Sequence, residues 1–489
     1  MDARWEVSVR SYDLSTRGDL PLYEYLYRCI RDDITGGTIA ARDRLPSRRA
    51  LAERLGVSVV TVEGAYRQLV AEGYVEARPR SGFFVASLPS LPAGTAVPAP
   101  VAPPGREEPA VPAEGTPRPP RYDLSRGSTH ASAGAARLWE RSLRDALAHE
   151  PDSVLYQIPP SRGLFRLRQA IASHLERARG MTVDPSRVVV AAGAQALYAM
   201  LALYLRKYEA VAVEDPGYAP VARTYAAAGL RTCHLPMDAD GLSAQALRAS
   251  GARVAHVMPS HQFPTGRVMS VSRRYELLGW AAEDASRIIV EDDFDCELRL
   301  SGRPVPALAS MDATGSVMYL STFSKSLASA LRIAYLVLPP SLDADFDREL
   351  GFFSTTVPAI DQVTLARALE SGAYASHVRR FRHQMRRVRD AFVEGLTDGP
   401  AGPRLSVEQQ DSGIHLVLAV KGCASEREVL AAAGVNGVAL APLSAFAHDR
   451  KNAASPDGAA RFVVQYEGLS AQEARDAAAA LGRAILTLP

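Results

Sequence analysis

Lys325 stands in the run Ser321-Thr322-Phe323-Ser324-Lys325, and Arg332 follows seven residues later. A lysine amine can bond covalently to a carbonyl compound when its surroundings favour the neutral form. Thr322 and Ser324 add hydroxyl donors, and the planar guanidinium of Arg332 suits two-point binding of a phosphate. Asp292 follows the apolar run Ile288-Ile289-Val290 and Glu291, where a carboxylate can keep a ring nitrogen protonated. Gly193-Ala194-Gln195 lies between Val188-Val189-Val190 and a helical stretch. A glycine turn at a helix start offers backbone N–H groups and a positive dipole end to an anion. Tyr218, after Glu214-Asp215-Pro216-Gly217, supplies a flat ring for stacking. An amine, an acid, a phosphate cradle and a stacking ring are what pyridoxal phosphate (PLP) requires of a protein. Taken singly, Lys325 reads as a solvated loop lysine and Asp292-Asp293 as a turn. The ordered set carries the assignment.

These residues must be held by strands. Val188-Val189-Val190, Ala210–Val213, Val254–Val257 and Ile288-Ile289-Val290 are short apolar runs separated by helical stretches. That pattern predicts an α/β fold with a mainly parallel sheet buried on both faces. Sites in such sheets lie at the C-terminal ends of strands. The apolar stretch Val188–Leu205 contains Gly193, Gln195 and two tyrosines, so it reads as strand, turn and buried helix, not as a membrane span.

The N-terminal part carries different chemistry. Leu22, Leu26, Ile30 and Ile34 form one stripe of a helix. Ser47 caps a second helix, which buries Leu51 and Leu55 and ends at Gly56; Ser58 caps a third, with Val62, Tyr66, Leu69 and Val70. Two short helices joined by a tight turn form a helix-turn-helix. Tyr74–Ala77 and Phe83–Val85 flank a basic turn, Arg78 to Gly82, as a two-stranded wing. A helix of this kind enters the major groove of double-stranded DNA by its N-terminal residues, here Ser58, Val59 and Thr61. Ser47, Arg48 and Arg49 face the passing backbone, and Arg78, Arg80 and Gly82 form the wing contact.

The 489 residues allow several domains, and 47% hydrophobic with 22% charged residues is ordinary globular composition. A net charge of +2 gives no global field, so any DNA contact depends on a local basic patch. Cys29, Cys233, Cys296 and Cys423 form no C-x-x-C pair, which argues against a disulfide scaffold or a metal site and for a reducing cytoplasm. No apolar leader follows Met1. Residues 89–121 are dominated by Pro, Ala, Gly and Glu and read as a semi-extended linker between a domain at 19–88 and one at 122–489. Arg379, Arg380, Arg382, Arg386, Arg387 and Arg389 make one very basic helix, read first as a solvated outer helix.

The segment Leu45-Pro46-Ser47-Arg48-Arg49-Ala50-Leu51-Ala52, with Leu55-Gly56-Val57-Ser58, Glu72-Gly73-Tyr74 and Ser81-Gly82-Phe83, resembles the winged helix of GntR-type regulators. From Tyr122 onward the chain resembles fold-type I aminotransferases, whose sheet domain carries a smaller C-terminal α+β subdomain. Ser260-His261-Gln262-Phe263-Pro264-Thr265-Gly266, Glu291-Asp292-Asp293-Phe294-Asp295 and Phe323-Ser324-Lys325-Ser326-Leu327 bring the whole close to the MocR/GabR group of bacterial transcription regulators.

The resemblance implies that Lys325 carries PLP as a Schiff base, that Asp292 meets the pyridine nitrogen, and that Ala194, Gln195, Thr322 and Arg332 bind the phosphate. It implies that Tyr156 reaches the phosphate of a partner in a head-to-tail homodimer, and that Arg461 binds an effector carboxylate. His261 is expected to orient a loop near the ring.

Three departures stand out. Phe294 replaces a tyrosine whose hydroxyl faces the cofactor; Pro220 replaces an arginine of GABA-responsive members; Val59 replaces an arginine after the helix cap. The expected function is a PLP-dependent regulator whose DNA binding responds to PLP, or to an amine or amino acid that exchanges with Lys325, in vitamin B6 or amino-acid metabolism. The alternative is a working aminotransferase with an accessory DNA-binding domain.

Overall fold

The computed structural model describes residues 12–87, 120–127, 134–302, 305–409, 411, 413–422, 425–454 and 457–488. The chain divides into two compact units, Met1–Thr116 and Pro117–Pro489. Of the expected linker, only Pro120 and Arg121 are among the described residues.

In the first unit, α1 (Leu22–Thr35) buries Leu26, Ile30 and Ile34 as its four-residue spacing predicts. After β1 (Arg44–Leu45), Ser47 caps α2 (Arg48–Leu55) by accepting from Ala50 N at 3.2 Å, and Gly56 ends it. Ser58 caps α3 (Val59–Ala71) by accepting from Thr61 N at 3.1 Å. Strands β2 (Val75–Arg78) and β3 (Gly82–Val85) pair antiparallel, and β1 adds to the far side of β3. Leu51, Val62, Tyr66, Leu69, Val75 and Val85 join the α1 stripe in one core.

The second unit begins with β4 (Tyr122–Asp123). There follow β5 (Val188–Ala191), β6 (Ala210–Asp215), β7 (Arg231–Asp238), β8 (Gly241–Leu242), β9 (Val254–Val257), β10 (Ile288–Asp292), β11 (Val317–Thr322) and β12 (Ala334–Val337). Strands β5 to β12 form one eight-stranded sheet in the order β5-β12-β11-β10-β9-β6-β7-β8. The pairs β7–β6, β6–β9, β9–β10 and β10–β11 are parallel, whereas β12 runs antiparallel to both its neighbours. Alternate residues serve opposite cores: Val189, Val211, Val254 and Val290 pack on one face, while Val188, Val190, Ala255 and Ile289 pack on the other. The mainly parallel sheet buried on both faces is thus as expected.

A smaller subdomain carries β13 (Leu405–Glu408), β14 (His415–Val420), β15 (Val438–Ala439), β16 (Ala441–Pro442) and β17 (Ala460–Gln465). Its antiparallel sheet has the order β13-β14-β17-β16, and β15 pairs with β4. Helices Ala373–Thr397 and Ala471–Leu486 pack on one face around Phe392, Leu418, Phe462 and Leu481. The basic helix is only partly solvated: Arg382 and Arg386 donate to the carbonyls of Arg299 and Leu300 at 3.0 and 2.9 Å, and Arg389 is buried. No helix among the described residues is long and apolar enough to cross a membrane.

Candidate functional site

The C-terminal ends of the parallel strands converge on one place. At the end of β10, the Asp292 side chain is buried, with the residue 1% exposed. Its Oδ2 accepts from the Tyr198 hydroxyl at 2.6 Å and lies 3.4 Å from His256 Nε2, whose Nδ1 meets the Tyr225 hydroxyl at 2.8 Å. Burial and the Asp292 charge hold the Tyr198 hydroxyl far above its ordinary pKa, so it stays a donor. Asp292 Oδ1 is buried without a hydrogen-bond partner. A buried acceptor of this kind is costly unless a donor fills the place beside it.

Beyond β5, Gly193 adopts φ 81° and opens helix Ala194–Leu205. A Cβ at Gly193 would fall 2.5 Å from Arg332 Nη2, so only glycine lets the guanidinium lie against this helix start. Arg332 itself has φ 44°, a strained left-handed conformation for a non-glycine residue. At the end of β11, the Thr322 hydroxyl accepts from Ser324 N at 3.2 Å and reaches the Ile333 carbonyl at 3.2 Å. Gln195, the second residue of this helix, uses its side chain elsewhere: Nε2 donates to Thr224 Oγ1 at 2.8 Å. Tyr218 caps helix Ala219–Ala227, is 39% exposed, and meets Phe263 edge-on at 5.7 Å. Burial raises its hydroxyl pKa, with nearby Asp292 adding to the shift and Arg332 opposing it. Tyr218 therefore lies within the fields of both.

Lys325 Nζ donates to Glu467 Oε1 at 3.3 Å. A Cβ on Gly127 would fall 3.1 Å from that amine and 2.9 Å from Gln465 Oε1. Phe294 is half-buried, with its ring 6.1 Å from that of His261. His261 Nδ1 lies 2.6 Å from Asp295 Oδ2, and its ring is 4.3 Å from His415. Burial, then the His261 and Lys325 charges, push His415 well below the ordinary histidine range. The His261, Asp295 and His415 side chains form a compact buried group.

The structure therefore brings Lys325, Asp292, Gly193, Ala194, Thr322, Ser324, Arg332 and Tyr218 to one end of the sheet. It does not bring Arg461 there. Arg461 pairs with Ala419 on β14, whereas Gln465, at the Lys325 end, pairs with His415. The Arg461 guanidinium meets Glu408 at 2.8 Å and Asp457 at 3.0 Å. Tyr156 ends the short helix Asp152–Leu155 and is 70% exposed on the chain. Sequence reasoning missed Tyr198, His256, His415, Gln465, Glu467 and Gly127. One signal was available: Gln465 and Glu467 continue the two-residue period of Arg461 and Val463.

In the first unit, Ser58 and Thr61 bond each other at 2.8 Å at the start of α3, while Val59 and Val60 project, Val60 at 77% exposure. Val60 was not singled out from sequence. Arg48 is paired with Glu63 at 3.0 Å, and Arg49 is exposed beside it. Arg78 lies over Phe84 at 4.6 Å and pairs with Glu76; Arg80 occupies the wing tip with φ 62°, followed by Gly82, whose φ is 108°. Ser47 spends its oxygen on the α2 cap.

Residues 22–85 match the family described as "Bacterial regulatory proteins, gntR family", and residues 133–452 match "Aminotransferase class I and II". The "Probable rhizopine catabolism regulatory protein MocR" of Rhizobium meliloti is 34% identical over 438 residues, 88% of each chain. The "HTH-type pyridoxine biosynthesis transcriptional regulator PdxR" of Corynebacterium glutamicum is 33% identical over 84% of this chain and 86% of its own. Among solved structures, an archaeal alanine:glyoxylate aminotransferase superposes with a TM-score of 0.64 at 21% identity, covering 74% of this chain and 89% of that one, which establishes the fold alone. A gntR winged helix followed in one chain by an aminotransferase fold, and similarity to regulators that spans both, make this chain a member of the GntR/MocR-type transcription regulators.

Proposed function

We propose that this protein is a DNA-binding regulator that holds PLP at Lys325 and alters its operator affinity when PLP, or an amine that displaces Lys325 from PLP, is bound. The observation that carries the reading is the buried, unpartnered Oδ1 of Asp292 at the sheet end where Lys325, Arg332 and the Gly193 turn also lie. These residues fit the group: Asp292 offers an acceptor to a protonated ring nitrogen, the Ala194-Gln195 backbone with Thr322, Ser324 and Arg332 receives a phosphate, and Tyr218 covers the ring. PLP, when bound, supplies an aldehyde for an amine and an electron-withdrawing ring. Phe294 offers that ring an apolar edge and no hydroxyl. Tyr156, exposed on one chain, serves a partner's phosphate in a head-to-tail homodimer.

The working division is a winged helix at 19–88, a linker at 89–121 and an effector domain at 122–489. Ser58, Val59, Thr61 and their neighbour Val60 meet bases; Ser47, Arg48, Arg49, Arg78, Arg80 and Gly82 meet the DNA backbone. The gene relationship implied by the name PdxR favours vitamin B6 metabolism as the controlled process.

The test of the PLP site is borohydride reduction of the full-length protein with PLP, followed by peptide mass analysis. The expected result is one pyridoxyl group per chain on Lys325. Labelling spread over surface lysines, or none, would contradict it. The aminotransferase reading draws on the same arrangement of Lys325, Asp292 and Arg332. Sustained turnover with an amino donor and a keto acid, at roughly one per second or faster, would favour that reading instead.

A further inference from the structure

Strand β17 presents alternate residues to two sides. Ala460, Phe462 and Val464 enter the subdomain core. The other side carries Arg461, Val463 and Gln465, and Glu467 follows just past the strand. At the Lys325 end this side offers an amide and a carboxylate. The strand's guanidinium is at the opposite end, held by Glu408 and Asp457.

The Glu467 side chain is 8% exposed, so water screens its charge weakly. It lies 3.3 Å from the Lys325 amine, and Gly127 brings bare backbone to the same point. A place lined by carboxylate, amide and backbone favours a cationic nitrogen and disfavours a second carboxylate.

We propose that the effector received beside Lys325 is a primary amine with no carboxylate on the carbon that bears its nitrogen, and that Glu467 makes this selection. The inference rests on the reading that Lys325 holds PLP. An α-amino acid carries its carboxylate on the carbon next to the nitrogen. Seating that nitrogen where the Lys325 amine now lies brings the carboxylate close to Glu467, and like charges repel strongly in so poorly solvated a place. A bare amine brings its nitrogen to the same carboxylate without that repulsion. Selection then comes as much from the repelled competitor as from the favoured ligand.

Two pairs of probes differ by that one carboxylate: 1,4-diaminobutane against ornithine, and ethylamine against alanine. Each is titrated into the full-length protein loaded with PLP, and binding is read from the cofactor's visible absorbance. The expected result is that each amine binds at least ~30-fold more tightly than its amino acid, and that Glu467→Gln reduces the ratio to below ~5-fold. Amino acids binding as tightly as the amines to the wild-type protein would overturn the proposal. So would an undiminished ratio in a folded Glu467→Gln variant. The wild-type comparison tests the preference for amines even if Glu467→Gln fails to fold, and Glu467→Ser then reads the part played by Glu467 by the same fall in ratio. The starting absorbance separates the two levels of failure. If no cofactor band depends on Lys325, the PLP reading falls and takes this one with it. If the band is present and amino acids win, only the selection by Glu467 falls.

Discussion

Glu214 lies at the same sheet end as Asp292, buried and one residue before the end of β6. Burial is the main reason its carboxyl is pushed up to about 8; the backbone N–H of Met258, 3.2 Å away, opposes the shift. The folded chain therefore keeps this proton at neutral pH, whereas the unfolded chain releases it near 4.5. Between those values the folded state binds more protons, so stability falls as pH rises from about 4.5 to about 8. Glu214→Gln keeps the shape and removes the titration. It should raise the melting temperature at pH 8, by up to a few kcal/mol of stability, and change it little at pH 4. An equal change at both values would show that Glu214 does not titrate this way. Asp292 follows a different logic, because one oxygen is already satisfied by Tyr198 and the other waits for a donor. Asp292→Ala should weaken PLP binding by ~10-fold or more while Tyr198→Phe, which removes only the positioning bond, should weaken it less. Equilibrium dialysis against PLP would rank the two, and the reverse order would contradict the assigned roles.

At the scale of elements, the turn at Gly193 joins strand to site. Gly193→Ala must place a Cβ against Arg332 and keep φ 81°, at a backbone cost of about 1–3 kcal/mol. It should lower PLP affinity more than ~10-fold and leave the winged helix intact by its separate melting signal; unchanged PLP affinity would remove Arg332 and this turn from the phosphate site. In α3, Ser58 accepts from Thr61 N, so Ser58→Ala should cost the winged helix about 1 kcal/mol. A scanning calorimetry trace without a shifted transition would contradict that cap. Much at this scale was legible in the sequence. The runs at Val188, Ala210, Val254 and Ile288 stood out because both sheet faces are buried and most positions are apolar, the polar ones (His256, Glu214-Asp215, Glu291-Asp292) falling toward the strand ends. Ser47, Gly56 and Ser58 marked helix ends because capping is local chemistry. The surroundings of Lys325 were less legible. Glu467 meets it, and His415 comes within its field, only through the register of β14 with β17, a non-local pairing that no short motif encodes. Arg461 resembled a carboxylate binder for the same reason: its partner Glu408 lies on β13, 53 residues away in the chain.

For the whole molecule, the proposed regulation requires that ligand at the sheet end change the affinity of the winged helix for DNA. Such coupling exists only if the ligand binds two states of the protein unequally, and coupling of this kind commonly amounts to about 5–150-fold. If PLP, or an amine that displaces Lys325 from it, is the ligand as proposed, Lys325 is where the coupling can be cut. The most direct measurement is the affinity of the full-length protein for DNA upstream of its own gene, by fluorescence anisotropy at physiological salt, with and without saturating PLP, in wild type and Lys325→Ala. The expected result is specific binding whose affinity changes by at least ~5-fold with PLP, or with PLP plus an amine, in wild type, and stays constant in Lys325→Ala. Operator affinity that ignores PLP and amines in wild type, or that responds equally in Lys325→Ala, would contradict it.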